Sequence, residues 1–260
     1  MDQKTLRREI VQFLATETPK MIPQLSIDCV IFSFHEDKLK VLLLRSINQS
    51  KLNLPSGFIY QDEDLDAAAL RNLKERTNLD KVFLQQFHAF GKANRYFSED
   101  FLETIITMGI ERAQAEWLFQ RFITIGYYAL VNYQQTTPQT DMLSEGYEWG
   151  DVQTLPPLIL DHQALIKTAL ETLKKDILTQ PIGLQLLPEH FTIPQLHQLY
   201  EIILQRKIDR RNFRKKMLQS NMLIPLNQQK EVRGHRFPNL YRFDKETYER
   251  SLSGEVKMGF

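Results

Sequence analysis

The stretch that most constrains this chain runs from Gly57 to Leu79, GFIYQDEDLDAAALRNLKERTNL. Asp64 opens a run of good helix formers, Ala67, Ala68, Ala69 and Leu70, that reaches about Thr77. On that helix, positions 72, 75 and 76 stand at i, i+3 and i+4 and share one face. Three carboxylates there would make an oxygen site for Mg²⁺, which bridges and neutralises a substrate diphosphate. The chain offers Asn72, Glu75 and Arg76 instead. Two ligands are missing and a fixed positive charge stands beside the third. The residues therefore assign no catalytic group, no metal ligand and no cofactor. Arg76 is suited to touching an anionic or hydroxyl-rich ligand directly. The alternative is an ordinary amphipathic helix with solvated charges.

At 260 residues the chain suits one large or two smaller domains. The single cysteine, Cys29, lies in an apolar run and reads as a small core residue. No apolar run approaches membrane-spanning length. Lys4, Arg7 and Arg8 precede a short, interrupted apolar stretch unlike a secretory signal. The expectation is a cytoplasmic protein with no membrane partner. The formal charge of +1 hides an asymmetry. Residues 189–260 hold 14 of the 33 basic residues and 8 of the 32 acidic ones, which leaves 19 basic against 24 acidic upstream. A basic C-terminal segment on an acidic body points to a separate domain with a polyanionic partner.

In chain order, residues 4–15 predict an amphipathic helix. LSIDCVIFSF and LKVLLLRS predict a strand hairpin about a turn at His35–Lys38, and KVFLQQFHAFG and FITIGYYALVNY two further strands. Between those two, 96–120 has helical spacing and reads as an insertion. Its apolar side (Phe101, Ile105, Met108, Trp117, Phe119) needs burial, against the sheet or against a partner, with the sheet favoured. Trp149 to Val152 is a short candidate strand, and Ala164 to Ile177 an amphipathic helix. Asp161-His162 reads as a helix-start pair satisfied by backbone groups rather than as a catalytic pair. Residues 180–190, with two prolines and a glycine, form a junction.

Beyond the junction the pattern changes. Thr192, Pro194 and Gln195 make a capping box before a helix that buries Leu196, Leu199, Tyr200, Ile203 and Leu204. Asp209 caps a second helix, RRNFRKKMLQS. MLIPL and NLYRF are short strands around a polar loop. Helix, turn, basic helix and two-stranded wing is the layout of a winged helix-turn-helix. Phe213, Met217 and Leu218 centre on one face of the basic helix. Arg211, Asn212, Lys215, Lys216 and Gln219 lie opposite, where Arg suits guanine edges and Asn adenine. Arg210, at the helix start, and Arg214, beside the apolar face, are assigned to phosphate contact or an internal ion pair. In the wing, Lys230, Arg233 and Arg236 surround Gly234 and suit phosphate or minor-groove contact. The alternative is a merely solvated basic face.

The Gly57–Leu79 stretch resembles the Nudix box: Gly, five residues, Glu, seven residues, Arg-Glu-apolar-x-Glu-Glu-x-Gly-apolar. Gly57, Glu63, Arg71, Leu73, Glu75 and Leu79 fall in register. Asn72, Arg76 and Asn78 depart from it, the first two replacing metal-binding glutamates. With IDCVIFSF, VLLLR, YYALVNY, PIGLQLLPEHFT and especially LYEIIL…DRRNFRKKML…LYRF, most of the chain resembles the Nudix-related transcriptional regulators of the NrtR and AraR type. The resemblance implies an α/β (α+β) protein: a Nudix-type α/β/α sandwich with a mixed sheet, followed by a small winged helix-turn-helix domain. Expected boundaries are a helical extension at 1–22, a Nudix-like sensor at 23–185 and a winged helix at 189–260. The implied partners are operator DNA, a second copy in a homodimer, and a small-molecule effector, a sugar or an ADP-ribose-like nucleotide, with the sugar-sensing branch closer in wording. The effector is expected near Arg45, Gly57, Phe58, Glu63, Arg71, Glu75 and Arg76, or in a dimer-interface pocket. The competing functions are a Mg²⁺-dependent Nudix hydrolase of a nucleoside diphosphate derivative and an RNA- or protein-binding module.

Overall fold

The structure is a computed structural model describing residues 3–47, 50–79, 82–140, 143–180, 183, 186–229, 239–244 and 246–247. The chain divides into two compact units. One holds residues 1–32, 40–129 and 136–169, the other residues 33–39, 130–135 and 170–260.

The first unit is built on a seven-stranded sheet. The hairpin is present as β1 (Met21–His35) and β2 (Lys38–Ser46). Its two-residue turn places Glu36 and Asp37 at φ 51° and 57°, the left-handed pair whose twist matches that of the strands it joins. Ile27 and the run Cys29 to Phe32 are buried on both faces, so β1 is central. Beyond it come β3 (Leu52–Asn53), β4 (Ser56–Tyr60), β5 (Phe83–Phe90), β6 (Ile123–Val131) and β7 (Ser144–Asp151). The order across the sheet is β3-β2-β1-β6-β5, with β4 antiparallel on β1 and β7 antiparallel on β2. The strand expected at Trp149 starts earlier, at Ser144, because it pairs with β2 as far as Ser46. The register Ile27↔Gly57 and Asp28↔Ser56 fixes the start of the Nudix-like stretch against the centre of the sheet.

The predicted N-terminal helix is α1 (Gln3–Thr16), which buries Leu6, Ile10 and Leu14 one turn apart. The box helix is α2 (Leu65–Thr77), with Asp64 as N-cap. Asn78 closes it at φ 58°, its N–H bonded to the Lys74 carbonyl. The signature has glycine there; asparagine is among the few other residues that visit left-handed backbone routinely, so the frame holds.

The insertion is not one helix. It comprises α3 (Glu99–Thr107), capped by Ser98, then α4 (Arg112–Ala115) and a 3₁₀ turn at Glu116–Phe119. Gly109, at φ +83°, breaks the run, and Glu111 with Gln114 restarts it in a capping box. Most of its apolar side meets α1, while Trp117 reaches Phe58 of β4 in the sheet. Ile105, Met108, Ile110, Ala115 and Leu118 form one buried cluster with Leu6, Ile10 and Leu14. The first unit ends in α5 (His162–Thr179), which continues into the second.

In the second unit, α6 (Ile193–Leu204) and α7 (Arg210–Gln219) form the helix pair, and β9 (Leu223–Gln229) and β10 (Asn239–Phe243) the wing strands. A third strand escaped the sequence reading: β8 (Phe191–Thr192) pairs with β10 at Tyr241 and Leu240, giving the order β8-β10-β9. Two residues carry too little periodicity to announce a strand. Phe213 packs edge-on against Tyr200 and His197, both at 5.1 Å. The turn between α6 and α7 is fixed from α6: Glu201 accepts the Ile208 N–H at 3.0 Å, and His197 Nε2 meets the Ile208 carbonyl at 2.9 Å.

Candidate functional site

The first unit contains a cavity of about 250 Å³ beside the box. Gly57 and Phe58 reach it from β4, and Arg71, Asn72, Glu75 and Arg76 from α2. Ile10, Phe13 and Leu14 of α1 close another side, with Phe101 and Leu118 of the insertion and Phe97 and Phe122 flanking it. The insertion is thus part of the cleft wall. Phe58 centres an aromatic group, 4.6 Å from Trp117 edge-on, 5.8 Å from Phe122 and 6.2 Å from Phe13.

The box residues divide by role. Arg71 binds Glu63 with two nitrogens, donates to the Phe58 carbonyl at 2.8 Å, and reaches Glu75 and Asn72 Oδ1 at 3.3 Å each. Its guanidinium also lies 4.6 Å over the Tyr60 ring. Glu63 further accepts the Tyr60 N–H at 2.8 Å. Burial pushes the Glu63 carboxyl up, but these hydrogen bonds outweigh it and hold it below the usual range, while Glu63 raises Arg71. Glu63 and Arg71 therefore clamp the loop before α2 onto β4. Glu63 sits behind the clamp, off the cavity surface. Arg45 stands apart from the expected set. Its side chain pairs with Glu148 on β7 at 2.8 Å and does not line the cavity, whereas the next residue, Ser46, does. Alternation along β2 sends neighbours to opposite faces.

Gly57 is required by packing. A Cβ there would meet Asn72 Oδ1 at 1.7 Å, so the Asn72 side chain lies directly on β4. Asn72 is 3% exposed, and its Nδ2 has no hydrogen-bond partner among the described residues. The Oδ1 contact from Arg71 fixes which end of the amide is the donor. Ser144 Oγ, also on the cavity, is buried and unpartnered among the described residues. Arg76 Nη2 approaches the Ser56 carbonyl at 3.4 Å.

A second polar group in the cavity had no motif to announce it. Arg95 bridges Asp28 and Asp161, at 2.8 Å each, with all three side chains buried or nearly so. Asp28 also accepts a short hydrogen bond from Ser56. His162 is buried, accepts the Leu54 N–H on Nδ1 at 2.9 Å, and has Nε2 3.9 Å from Asp28. Burial lowers its pKa, against Asp28, so the ring is neutral with its proton on Nε2. His162 thus takes a backbone partner, but a distant one, the Leu54 N–H 108 residues away rather than its own helix start, and Asp161 takes a guanidinium. Leu160, on the same cavity, holds φ 47°, a strained conformation for a leucine.

In the second unit, the side chains of Arg210, Arg211, Asn212, Arg214, Lys215 and Gln219 are exposed on α7, and Lys216 is half-buried. Arg214 makes no ion pair with a described residue. Phe213 and Met217 face inward at 1% and 3% exposure. Leu218 corrects the apolar-face expectation: it is 41% exposed, whereas Phe213 and Met217 are the α7 residues that are buried. Lys230, Arg233 and Arg236 lie outside the described residues.

An α/β sheet carrying a Nudix-type box, followed by a winged helix, defines the class as a Nudix-related DNA-binding regulator. Family comparison agrees. A model described as NUDIX domain matches residues 22–170, and one described as NrtR DNA-binding winged helix domain matches residues 183–243. The chain belongs to the NUDIX family. It is 29% identical over 247 residues to an Acinetobacter baylyi protein, the ADPR responsive transcriptional repressor NtrR, covering 92% of this chain and 89% of that one. Among solved structures it is similar to Shewanella oneidensis NrtR complexed with a 27mer DNA, at 28% identity and TM-score 0.68, over 90% of this chain and 97% of that one. A further crystal structure of Shewanella oneidensis NrtR is similar at 26% identity and TM-score 0.67, over 90% of this chain and 98% of that one. A MutT/nudix family protein from Enterococcus faecalis shares the fold at 19% identity and TM-score 0.59.

Proposed function

We propose that this chain is a transcriptional repressor whose Nudix domain senses an ADP-ribose-type nucleotide and whose winged helix binds operator DNA as a cytoplasmic homodimer. The observation that carries the reading is the exposed basic face of α7, Arg211, Asn212 and Lys215, on a helix buried only through Phe213 and Met217. It presents guanidinium, amide and ammonium donors at the spacing a major groove accepts. A nucleotide effector is favoured over a free sugar because the cavity joins arginines to aromatic residues. A nucleotide brings an anion and a base to match, and a sugar brings neither. The Acinetobacter relative is named as ADPR responsive. This turns the reading from the sugar-sensing branch toward the nucleotide-sensing one. Hydrolysis is disfavoured because Asn72 and Arg76 stand where metal-binding carboxylates would be needed.

The effector must bind the DNA-competent and DNA-incompetent dimers unequally. A release of about 100-fold in operator affinity corresponds to a coupling of about 2.7 kcal/mol. The test is fluorescence anisotropy on duplex DNA flanking the chain's own gene, with ADP-ribose and arabinose titrated separately. Release by ADP-ribose is expected. Release by arabinose alone would overturn the nucleotide reading, and Mg²⁺-dependent turnover of ADP-ribose would restore the hydrolase reading.

A further inference from the structure

We propose that Ser144, the first residue of β7, recognises a ribose hydroxyl of the effector, and that Ser46 opposite it completes a site for a vicinal diol; this rests on the nucleotide reading above. An irregularity in the sheet makes the site. β2 and β7 pair residue for residue from Lys40↔Asp151 to Arg45↔Gly146, and then the register shifts so that Ser46 faces Ser144. β7 uses two residues where β2 uses one, the count of a β-bulge. Regular pairing would set Glu145 opposite Ser46, on the inner face. The bulge leaves Glu145 exposed and turns Ser144 inward, where it lines the cavity at 8% exposure. A hydroxyl thus stands where a carboxylate would repel an anionic ligand.

The polar side chains near it are already matched. Ser46 donates to Asn53 Oδ1 at 2.7 Å, Asn53 donates to the Leu54 carbonyl at 3.1 Å, and Ser56 donates to Asp28. Ser144 Oγ has no partner among the described residues. Buried hydroxyls are nearly always hydrogen-bonded, so one left over on a cavity wall is matched to what enters the cavity. Its chemistry defines the match. Ser144 can donate and accept, whereas Ser46, its proton given to Asn53, can only accept. Residues directly opposite on an antiparallel pair have Cβ atoms about 4.5–5.5 Å apart, so one ligand group reaches both. A vicinal diol satisfies the pair: one of its oxygens accepts from Ser144 while the neighbouring hydroxyl donates to Ser46. A diphosphate offers acceptors only and would leave Ser46 unmatched. Elsewhere on the lining, Asn72 Nδ2 is buried, a donor only, and also without a partner among the described residues. The cavity thus has one place for a hydroxyl-bearing group and another for an acceptor, the two chemistries that a ribose phosphate joins.

The test is calorimetric titration of the full chain and of Ser144→Ala. The probes are ADP-ribose, arabinose, and two ADP-ribose analogues that each lack the vicinal hydroxyls of one ribose, the adenosine-linked or the terminal one. Ser144→Ala is expected to weaken ADP-ribose about tenfold. One analogue is expected to bind weakly to the unaltered chain and to be weakened no further by the substitution, which identifies the ribose that is read. The other should respond to the substitution as ADP-ribose does. The ligand-free melting temperature should hold, because the hydroxyl removed has no described partner to lose. Unchanged ADP-ribose affinity in Ser144→Ala overturns the proposal, as does equal weakening of ADP-ribose and both analogues. A ligand-free melting temperature lowered by about 4 °C or more shows a hydroxyl already bonded within the protein, and overturns it too. Arabinose binding that Ser144→Ala weakens, without ADP-ribose binding, sinks the nucleotide reading and leaves the diol site standing. Failure of both ADP-ribose and arabinose to bind overturns it.

Discussion

On α2, Arg71 commits its guanidinium to Glu63, Glu75 and the Phe58 carbonyl; on α7, Arg211, Arg214 and Lys215 extend into solvent with no ion pair among the described residues. Both helices are rich in charge and both begin at an aspartate N-cap. They differ in what surrounds them. The clamp on α2 and the Asp28–Arg95–Asp161 bridge are buried or half-buried, where an unmatched charge is costly. Arg211, Arg214 and Lys215 on α7 are solvated, where leaving them unpaired costs little until a phosphate or a base edge replaces water. The same residue type thus builds structure in one unit and readiness to bind in the other.

That contrast predicts two separable phenotypes. The largest effect belongs to the buried bridge. Arg95→Met leaves Asp28 and Asp161 buried without their common partner and should cost about 3–5 kcal/mol of stability, read by chemical denaturation. A loss below about 1 kcal/mol would show that the cavity's charges are not structural, and the contrast would fail. Next comes α7. The double variant Arg211→Ala, Lys215→Ala should lower operator affinity by about 100-fold, since each base- or phosphate-reading group contributes about 1–3 kcal/mol. Its unfolding free energy should move by no more than about 0.5 kcal/mol, as for surface substitutions generally. Unchanged operator affinity would overturn the helix assignment. Its affinity should also fall less steeply with salt than that of the unaltered chain.

Gly57→Ala probes packing between the two kinds of effect. The added methyl collides with Asn72 Oδ1, so a loss of about 1–3 kcal/mol is expected, with weakened effector binding. The smallest effect is a pH slope. Burial lowers His162 in the folded state, so the unfolded chain binds its proton first as pH falls. The stability His162 contributes is complete above its unfolded pKa, about 6.5, and is lost as pH falls from there toward the folded value. Melting temperature should therefore decline below about pH 6.5, and His162→Asn, which keeps an acceptor for the Leu54 N–H, should flatten that part of the curve.

The elements most legible in the sequence were those with local causes. Thr192 with Gln195, and Asp209 with Asn212, are caps whose partners lie three residues away, and both form. The Gly57–Leu79 frame was equally legible, because its spacing is helical and its loop clamp closes over eight residues, Glu63 to Arg71. What stayed hidden depends on distance along the chain. Nothing near Asp28, Arg95 or Asp161 announces that 66 or 67 residues apart they form one bridge. The insertion shows the same limit. Its apolar spacing was plain, but only the fold reveals that α1 receives most of it. Arg45 and Leu218 erred in a third way. Both lie one position from a residue that does face inward, Ser46 and Met217, and a one-residue difference decides which side of a strand or helix is reached.

Thr192 closes β8 and opens α6 in the same residue, its neighbour Phe191 paired with Tyr241 while its own hydroxyl receives the Gln195 N–H. No loop separates the wing sheet from the first helix of the pair, so there is no slack in which the two could swivel. A displacement of α6 is therefore shared by β8 from its first residue, with no hinge residue between the two.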